Sequence, residues 1–214
     1  MVGKVRWVEE TAFDMTDARP TLRSLLALPD TPAPLSKSAL VLIDCQTTYR
    51  EGIMQLDDVE PALQECARLL TRTREAGAPV IHIRHDAGPG SPYDVTAPIG
   101  QIADVVAPAP GETVITKNFP SSFEQTSLDA ELKKTGVSDV VLAGFMTHMC
   151  VNSTARSAFN HGYRPTVVAG AAATRALAAP GGGVLPAKTV HDAALPGLAD
   201  LVAIVVASPE DIPD

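Results

Sequence analysis

The sequence is short of the residues that define several protein classes, and each shortage removes one. Only three cysteines, Cys45, Cys66 and Cys150, occur in 214 residues. They form neither a disulfide framework nor a CxxC or zinc-ribbon spacing, so each thiol needs its own explanation and a reducing compartment suits them. No apolar run approaches bilayer-spanning length, and Met1 to Glu10 carry charges where a secretory leader would be apolar. A soluble, cytoplasmic protein is the expectation. Lysine and arginine number 17 against 25 acidic residues, a formal net charge of −8, and they cluster nowhere. That disfavours nucleic acid and anionic membrane as partners. A small molecule, or a second copy of the chain, remains.

What is present is an ordinary globular composition, 45% hydrophobic and 20% charged, in a length that favours one well-buried core. From Ala39 onward, strand-like runs alternate with helical periods, the pattern of a parallel sheet covered by helices on both faces. The runs are Ala39–Asp44, Pro79–Arg84, Thr113–Lys117, Asp139–Ala143, Thr166–Ala169 and Leu201–Val206. They are too continuously apolar for strands buried on one side. Val59, Leu63, Cys66, Ala67 and Leu70 recur at helical spacing with Gly77 as a stop, which puts Cys66 on a core face. Val151, Ala155, Ala158 and Phe159 form a second stripe ended by Gly162, which places Cys150 at the first turn of that helix. Thr126 to Gly136 reads as a third helix, and Pro186 to Leu198 as a fourth that Pro196 kinks or ends. Gly88–Pro92 and Gly181–Gly183 read as loops. Residues 1–38, rich in proline, read as an arm lying on the 39–214 domain or on a partner subunit.

In an open parallel sheet the carboxyl ends of the strands face the functional crevice. Asp44, Lys117 and Cys150 all sit at or just beyond such ends. Singly, each has a plain explanation: a turn aspartate, a solvated strand-end lysine, a buried structural thiol. A strand-to-helix junction, however, sets the Cys150 sulfur near unsatisfied N–H groups, where a thiolate is favoured. A neighbouring lysine lowers a thiol pKa further, and a carboxylate accepts and returns the proton. Together the three supply a nucleophile, a base and an electrostatic partner. Cys45, next to Asp44, points to the opposite face of its strand.

These residues lie in motifs that resemble a known family. Leu42-Ile-Asp44-Cys-Gln46 resembles the opening hydrophobic-Asp-x-Gln motif of the isochorismatase-like cysteine hydrolases. Thr116-Lys117 followed by Ser121-Ser-Phe123 is similar to that family's lysine segment. Gly144-Phe-Met-Thr147-His-Met-Cys150-Val-Asn-Ser-Thr-Ala155 resembles its G-x-x-T-x-x-C-V-x-x-T-A nucleophile segment. The resemblance runs from Ala39 to about Val206. It implies a three-layer α/β/α fold whose six-stranded parallel sheet has the order 3-2-1-4-5-6, and a triad of Asp44, Lys117 and Cys150. It also implies a cis peptide between Phe145 and Met146, an oxyanion hole from the N–H groups of Met146 and Cys150, and self-association as a dimer or tetramer.

Around the triad, Gln46, Tyr49, His85, Phe119, Phe123, Thr147 and His148 are the candidates to bind substrate. Core packing is an equal explanation for the three aromatic residues. His161 and His191 read as surface or helix-end residues. The nicotinamidase branch of the family carries an Asp-x-His metal pair after the second strand, but here the stretch reads Arg84-His85-Asp86-Ala87-Gly88. Strand alternation turns His82 and His85 to opposite faces, so no metal and no other cofactor is expected. The loop His85-Asp-Ala-Gly-Pro-Gly-Ser-Pro-Tyr93 is similar to a metal-free branch that includes streptothricin hydrolase-like enzymes.

The expected chemistry is hydrolysis of a C–N bond in an amide, lactam or ureido compound. Two alternatives remain. A vinyl-ether hydrolase of the isochorismatase type would show carboxylate-binding cations in its pocket and tolerate loss of Cys150. A non-catalytic binding protein would have kept only the fold.

Overall fold

The computed structural model describes residues 19–214. Six strands form one sheet: β1 (Ser38–Ile43), β2 (Val80–His85), β3 (Thr113–Lys117), β4 (Asp139–Phe145), β5 (Arg164–Ala173) and β8 (Ile204–Val206). A two-stranded hairpin, β6 (Leu177–Ala178) and β7 (Val184–Leu185), precedes the last of these. The sheet order is β3-β2-β1-β4-β5-β8, with every pairing parallel. Since β8 is the sixth strand of this sheet, the order is the one that the sequence motifs imply.

Parallel neighbours require crossovers; helices α2 (Val59–Glu75), α3 (Leu128–Thr135), α4 (Asn152–Asn160) and α5 (Ala187–Ala199) supply four of them, and the β2–β3 connection is a long loop with two short 3-10 turns. Alternation along β1 divides the core in two. Leu40 and Leu42 pack with Leu63, Cys66, Leu69 and Leu70 of α2 on one face. Ala39, Val41 and Ile43 pack on the other with Leu128 and Leu132 of α3, Ala155 and Ala158 of α4, and Leu195 and Leu198 of α5. Burying each leucine or isoleucine contributes about 1.5–3 kcal/mol.

Three local features depart from the sequence expectations. Pro196 does not end α5: Leu195 and Leu198 on either side are anchored in the core, and the Asp200 N–H closes the last turn on the Pro196 carbonyl at 2.9 Å. Leu201 to Ala203 are not strand, since the N–H groups of Leu201 and Ala203 both return to the Leu198 carbonyl at the end of α5. Gly181 to Gly183 form the turn of the unexpected β6–β7 hairpin.

Of the arm expected over residues 1–38, residues 1–18 lie outside the described part. The remainder contains a one-turn helix, α1 (Leu22–Leu25), and runs against the end of α5. The Arg23 N–H donates to the Asp200 carbonyl at 2.7 Å, and its guanidinium donates to the carbonyls of Pro29 and Leu201.

Gly144 brings β4 and β1 together at the functional edge. Its φ is +114°, and a Cβ there would stand 2.0 Å from the Ile43 carbonyl oxygen, one residue before Asp44. The β4–β5 register also shifts between Leu142 and Gly144. Replacing Gly144 by alanine is expected to cost about 3 kcal/mol or more, through the left-handed backbone and the clash. Urea unfolding checks this, and an unchanged midpoint would contradict the close approach.

Candidate active site

Strand register places the functional side chains at one level. His85 of β2 pairs with Lys117 of β3, and Ile43 of β1 pairs with Gly144 of β4, so Asp44 and Phe145 follow side by side at the carboxyl edge. Asp44 leaves β1 with φ +51°, and its N–H donates to the Ile83 carbonyl at 2.9 Å. The Phe145–Met146 peptide is cis. Beyond it, Thr147–Val151 form a π-helical turn in which the Val151 N–H reaches back to the Met146 carbonyl at 3.2 Å. Cys150 lies in this turn, immediately before α4.

The three groups that the motifs single out meet. Lys117 Nζ lies 2.7 Å from Asp44 Oδ2 and 3.4 Å from Cys150 Sγ, and Asp44 is within hydrogen-bonding reach of the thiol. All are buried, Asp44 at 0%, Lys117 at 1% and Cys150 at 5% exposure. Lys117 sits at ion-pair distance from the carboxylate but off the axis of a hydrogen bond. Neither Asp44 oxygen receives an aligned donor among the described residues.

Electrostatics reverse one sequence expectation. The Cys150 thiol is pushed up to about 12, first by burial and then by the negative charge of Asp44, against the opposing pull of Lys117. The resting sulfur is therefore a thiol, not a thiolate. A strand-to-helix position and a lysine are visible in sequence, whereas the depth of burial is not. Asp44 is also raised, chiefly by burial, with Lys117 pulling the other way.

His85 completes the polar centre. Its Nδ1 accepts from Lys117 Nζ at 3.2 Å, and burial together with that ammonium lowers its pKa to about 4, so the ring is neutral at pH 7. Tyr93, from the loop after β2, stands edge-on to His85 and Tyr49, with centroids 5.0 and 5.8 Å apart. Tyr49 in turn packs edge-on against Phe145. The loop that presents Tyr93 is wound around the buried Asp94 carboxylate, which accepts from the N–H groups of Gly90 and Thr96 and the Thr96 hydroxyl. Gly100 closes the loop where a Cβ would meet the Asp94 carbonyl oxygen at 2.1 Å.

Not every expected substrate-binding residue faces this centre. Gln46 is fully buried. Its amide donates to the carbonyls of His85 and Gly100 and accepts from the His85 N–H, so it clamps the loop and leaves no donor for a ligand. Phe123 stacks on His161 and leans on Tyr163 at the far end of α4, a packing role. Phe119 is 40% exposed. His82 lies on the other face of β2, bonded to Glu112 at 2.8 Å, which in turn pairs with Arg74. Cys45 also points away, its sulfur 4.0 Å from that of Cys66.

Other contacts escape sequence reading. His191, which reads in sequence as a surface or helix-end residue, meets the Thr147 hydroxyl at 2.9 Å, and His148 Nδ1 meets the Thr174 hydroxyl at 2.5 Å. Thr174 and His191 also line a groove of about 360 Å³ beside the end of β5, together with Asp57, Ala62, Ala172 and Ala187. Arg175 follows Thr174. Its charge is felt at both Tyr93 and His148. None of these is signalled in the sequence, where the strand run ends at Ala169, before Thr174 and Arg175.

Comparison with known proteins identifies the family. The isochorismatase domain family matches residues 38–210, and the chain belongs to that family. A crystal structure of an isochorismatase from Pseudomonas putida superimposes with a TM-score of 0.87 at 37% identity, over 91% of this chain and all of that one. The secreted isochorismatase effector Isc1 of Verticillium dahliae is 34% identical over 88% of this chain and 97% of its own. Streptothricin hydrolase of Streptomyces noursei is 34% identical over 78% of this chain and 61% of its own. Maleamate amidohydrolase of Pseudomonas putida is 33% identical over 62% and 70% respectively. The protein is an enzyme of the hydrolase class. No helix among the described residues is long and apolar enough to cross a membrane.

If Asp44 is the charge that holds the sulfur protonated, Asp44→Asn lowers the Cys150 pKa and leaves Lys117 to favour the thiolate. Iodoacetamide at pH 8 is then expected to label Cys150 several-fold faster in Asp44→Asn than in the wild type. Wild-type labelling should accelerate as the pH climbs toward 12. Mass spectrometry reads both rates, and slower labelling of Asp44→Asn would refute the assignment.

Proposed function

We propose that the protein hydrolyses a C–N bond of a small amide, lactam or ureido compound through a thioester on Cys150. One observation carries the reading: a buried ammonium stands between a carboxylate and a thiol at 2.7 and 3.4 Å. A charge this deep needs a partner on structural grounds alone. A thiol beside that pair adds a group that can change its charge within the same cluster.

In this mechanism Asp44 takes the Cys150 proton, and the Lys117 ammonium offsets the negative charge that moves to sulfur. The high resting pKa makes ionisation costly in the empty site, so proton transfer accompanies attack on the carbonyl carbon. The tetrahedral oxyanion is received by the N–H groups of Met146 and Cys150, each such donor contributing on the order of 3 kcal/mol to the transition state. Asp44 then protonates the departing nitrogen, and water directed by the same carboxylate releases the acid from the thioester. The Asp44 oxygens, without aligned donors in the resting site, are placed to accept from the thiol, to donate that proton to the departing nitrogen and then to accept from the water. His85 in its neutral form keeps a ring N–H for the substrate side, while Tyr49, Tyr93 and His148 form the wall.

The same reading places the protein in the cytoplasm as a homo-oligomer, with residues 1–38 contributing an arm to the 39–214 domain. It needs no metal or cofactor. A second reading, hydrolysis of a vinyl ether in an unsaturated acid, is favoured by one observation, the Arg175 cation near Tyr93 and His148.

Cys150→Ala separates the two. An ammonia-release screen over nicotinamide, biuret, carbamoyl and lactam compounds is expected to find activity that this variant lowers at least about a thousandfold. Acid quenching of the wild type should trap an acyl group on Cys150. Full ammonia release by the alanine variant would sink the thioester, and hydrolysis of a vinyl-ether acid that survives Cys150→Ala, with no ammonia released from any of these compounds, would favour the second reading.

A further inference from the structure

The turn that carries Cys150 has an irregular backbone that depends on support from outside. In an α-helix the N–H four residues on, here that of Cys150, donates to the Met146 carbonyl. That carbonyl instead accepts from Met149 at 3.0 Å and Val151 at 3.2 Å, the residues on either side. The following bond is wide as well, since the Asn152 N–H returns to the Thr147 carbonyl five residues back. π-helical backbone is rare and survives mostly as single turns. Relaxation to the commoner α form would draw the Cys150 N–H back into the helix and shift the sulfur with it.

Helix α5 grips this turn at both ends. Thr147, fully buried at its start, shares a hydrogen bond of 2.9 Å between its hydroxyl and His191 Nδ1. Asn152, just past its end, donates its side-chain amide to the Ala194 carbonyl at 3.5 Å, and Arg156 further along α4 donates to the Gly197 carbonyl at 3.2 Å. His191, Ala194 and Gly197 follow one another along α5 in steps of three. The His191 contact is the shortest of the three and the one that reaches the turn ahead of the sulfur. Leu195 and Leu198 fix α5 in the core, so the imidazole is presented from a rigid element. Burial lowers the His191 pKa, with Asp192 and Lys188 acting in opposite directions, and the ring is neutral at pH 7.

We infer that His191 is a positioning residue: through the Thr147 hydroxyl it holds the turn in its π form and so fixes where the Cys150 N–H and sulfur stand. The consequence for the oxyanion rests on the proposed thioester chemistry, whereas the hold on the turn does not. A displacement of about 1 Å in a reacting group can cost on the order of a hundredfold in rate. One hydrogen bond behind the nucleophile can therefore matter more to turnover than to stability. Stability is affected too, because a buried hydroxyl without its partner is costly. The two effects separate when both partners are removed together.

His191→Leu and Thr147→Val each break the contact and leave a polar group without its partner. The double variant removes both groups, so its melting temperature is expected to recover toward that of the wild type. Turnover of the compound found by ammonia release is expected not to recover. In both single variants and in the double variant kcat should fall at least about tenfold, with KM changed less than about twofold. His191→Asn, which keeps a neutral polar atom near the Nδ1 position, should restore kcat to within about threefold of the wild type. In hydrogen–deuterium exchange read by mass spectrometry, residues 147–152 should exchange at least about tenfold faster in His191→Leu than in the wild type, with α5 unchanged. A double variant that regains kcat along with its melting temperature would reduce the contact to a structural one and overturn the inference. Unchanged exchange over 147–152, or His191→Asn no more active than His191→Leu, would overturn it equally. If the double variant does not fold, the comparison of His191→Asn with His191→Leu decides. If the wild type releases no ammonia from any compound screened, the exchange decides: faster exchange keeps the hold on the turn while the amide reading falls.

Discussion

Lys117 holds its ammonium out of water, 2.7 Å from an equally buried carboxylate, and neither charge is stable there alone. Removing one partner of such a pair strands the other at a cost of about 3–5 kcal/mol. The pair therefore joins β1 to β3 across β2, and it makes the sheet's carboxyl edge a single electrostatic unit. Much else follows from keeping that unit dry. Tyr49, Phe145 and Tyr93 pack edge to edge around it, and Gly144 lets β4 approach where any Cβ would strike the Ile43 carbonyl. The same dryness holds the Cys150 sulfur as a thiol.

The legible part of the molecule is the part set by local pattern. Continuous apolar runs mark strands buried on both faces, and Leu40 and Leu42 against Val41 and Ile43 divide as a period of two requires. The positions of Asp44, Lys117 and Cys150 at strand ends are visible for the same reason, and their meeting follows from register. The β5 strand is longer than its apolar core suggests, because its second half pairs with β4 across an irregularity that no residue type announces.

What the sequence conceals is depth and long-range partnership. Gln46 looks like a polar residue available to a ligand until its amide is seen bonded to segments 39 and 54 residues away. His191 looks like a helix-surface residue until Thr147, 44 residues earlier, is found against it. Phe123 reads as a pocket wall, but the stacking surface that claims it, His161 with Tyr163, is built by the opposite end of α4. In each case the deciding contact is tertiary, and composition and spacing carry no trace of it.

The Gln46 clamp has one more consequence. It ties the backbone of His85 to Gly100, and so spans the whole stretch that carries Tyr93. The base of that stretch is anchored while its crest, built on Gly88, Gly90 and the Asp94 turn, is a separate small structure with its own bonds. Insertions or exchanges at the crest can accordingly alter which molecules enter without disturbing the charges beneath. Such a scaffold is suited to diversify by its rim, its reactive floor held constant.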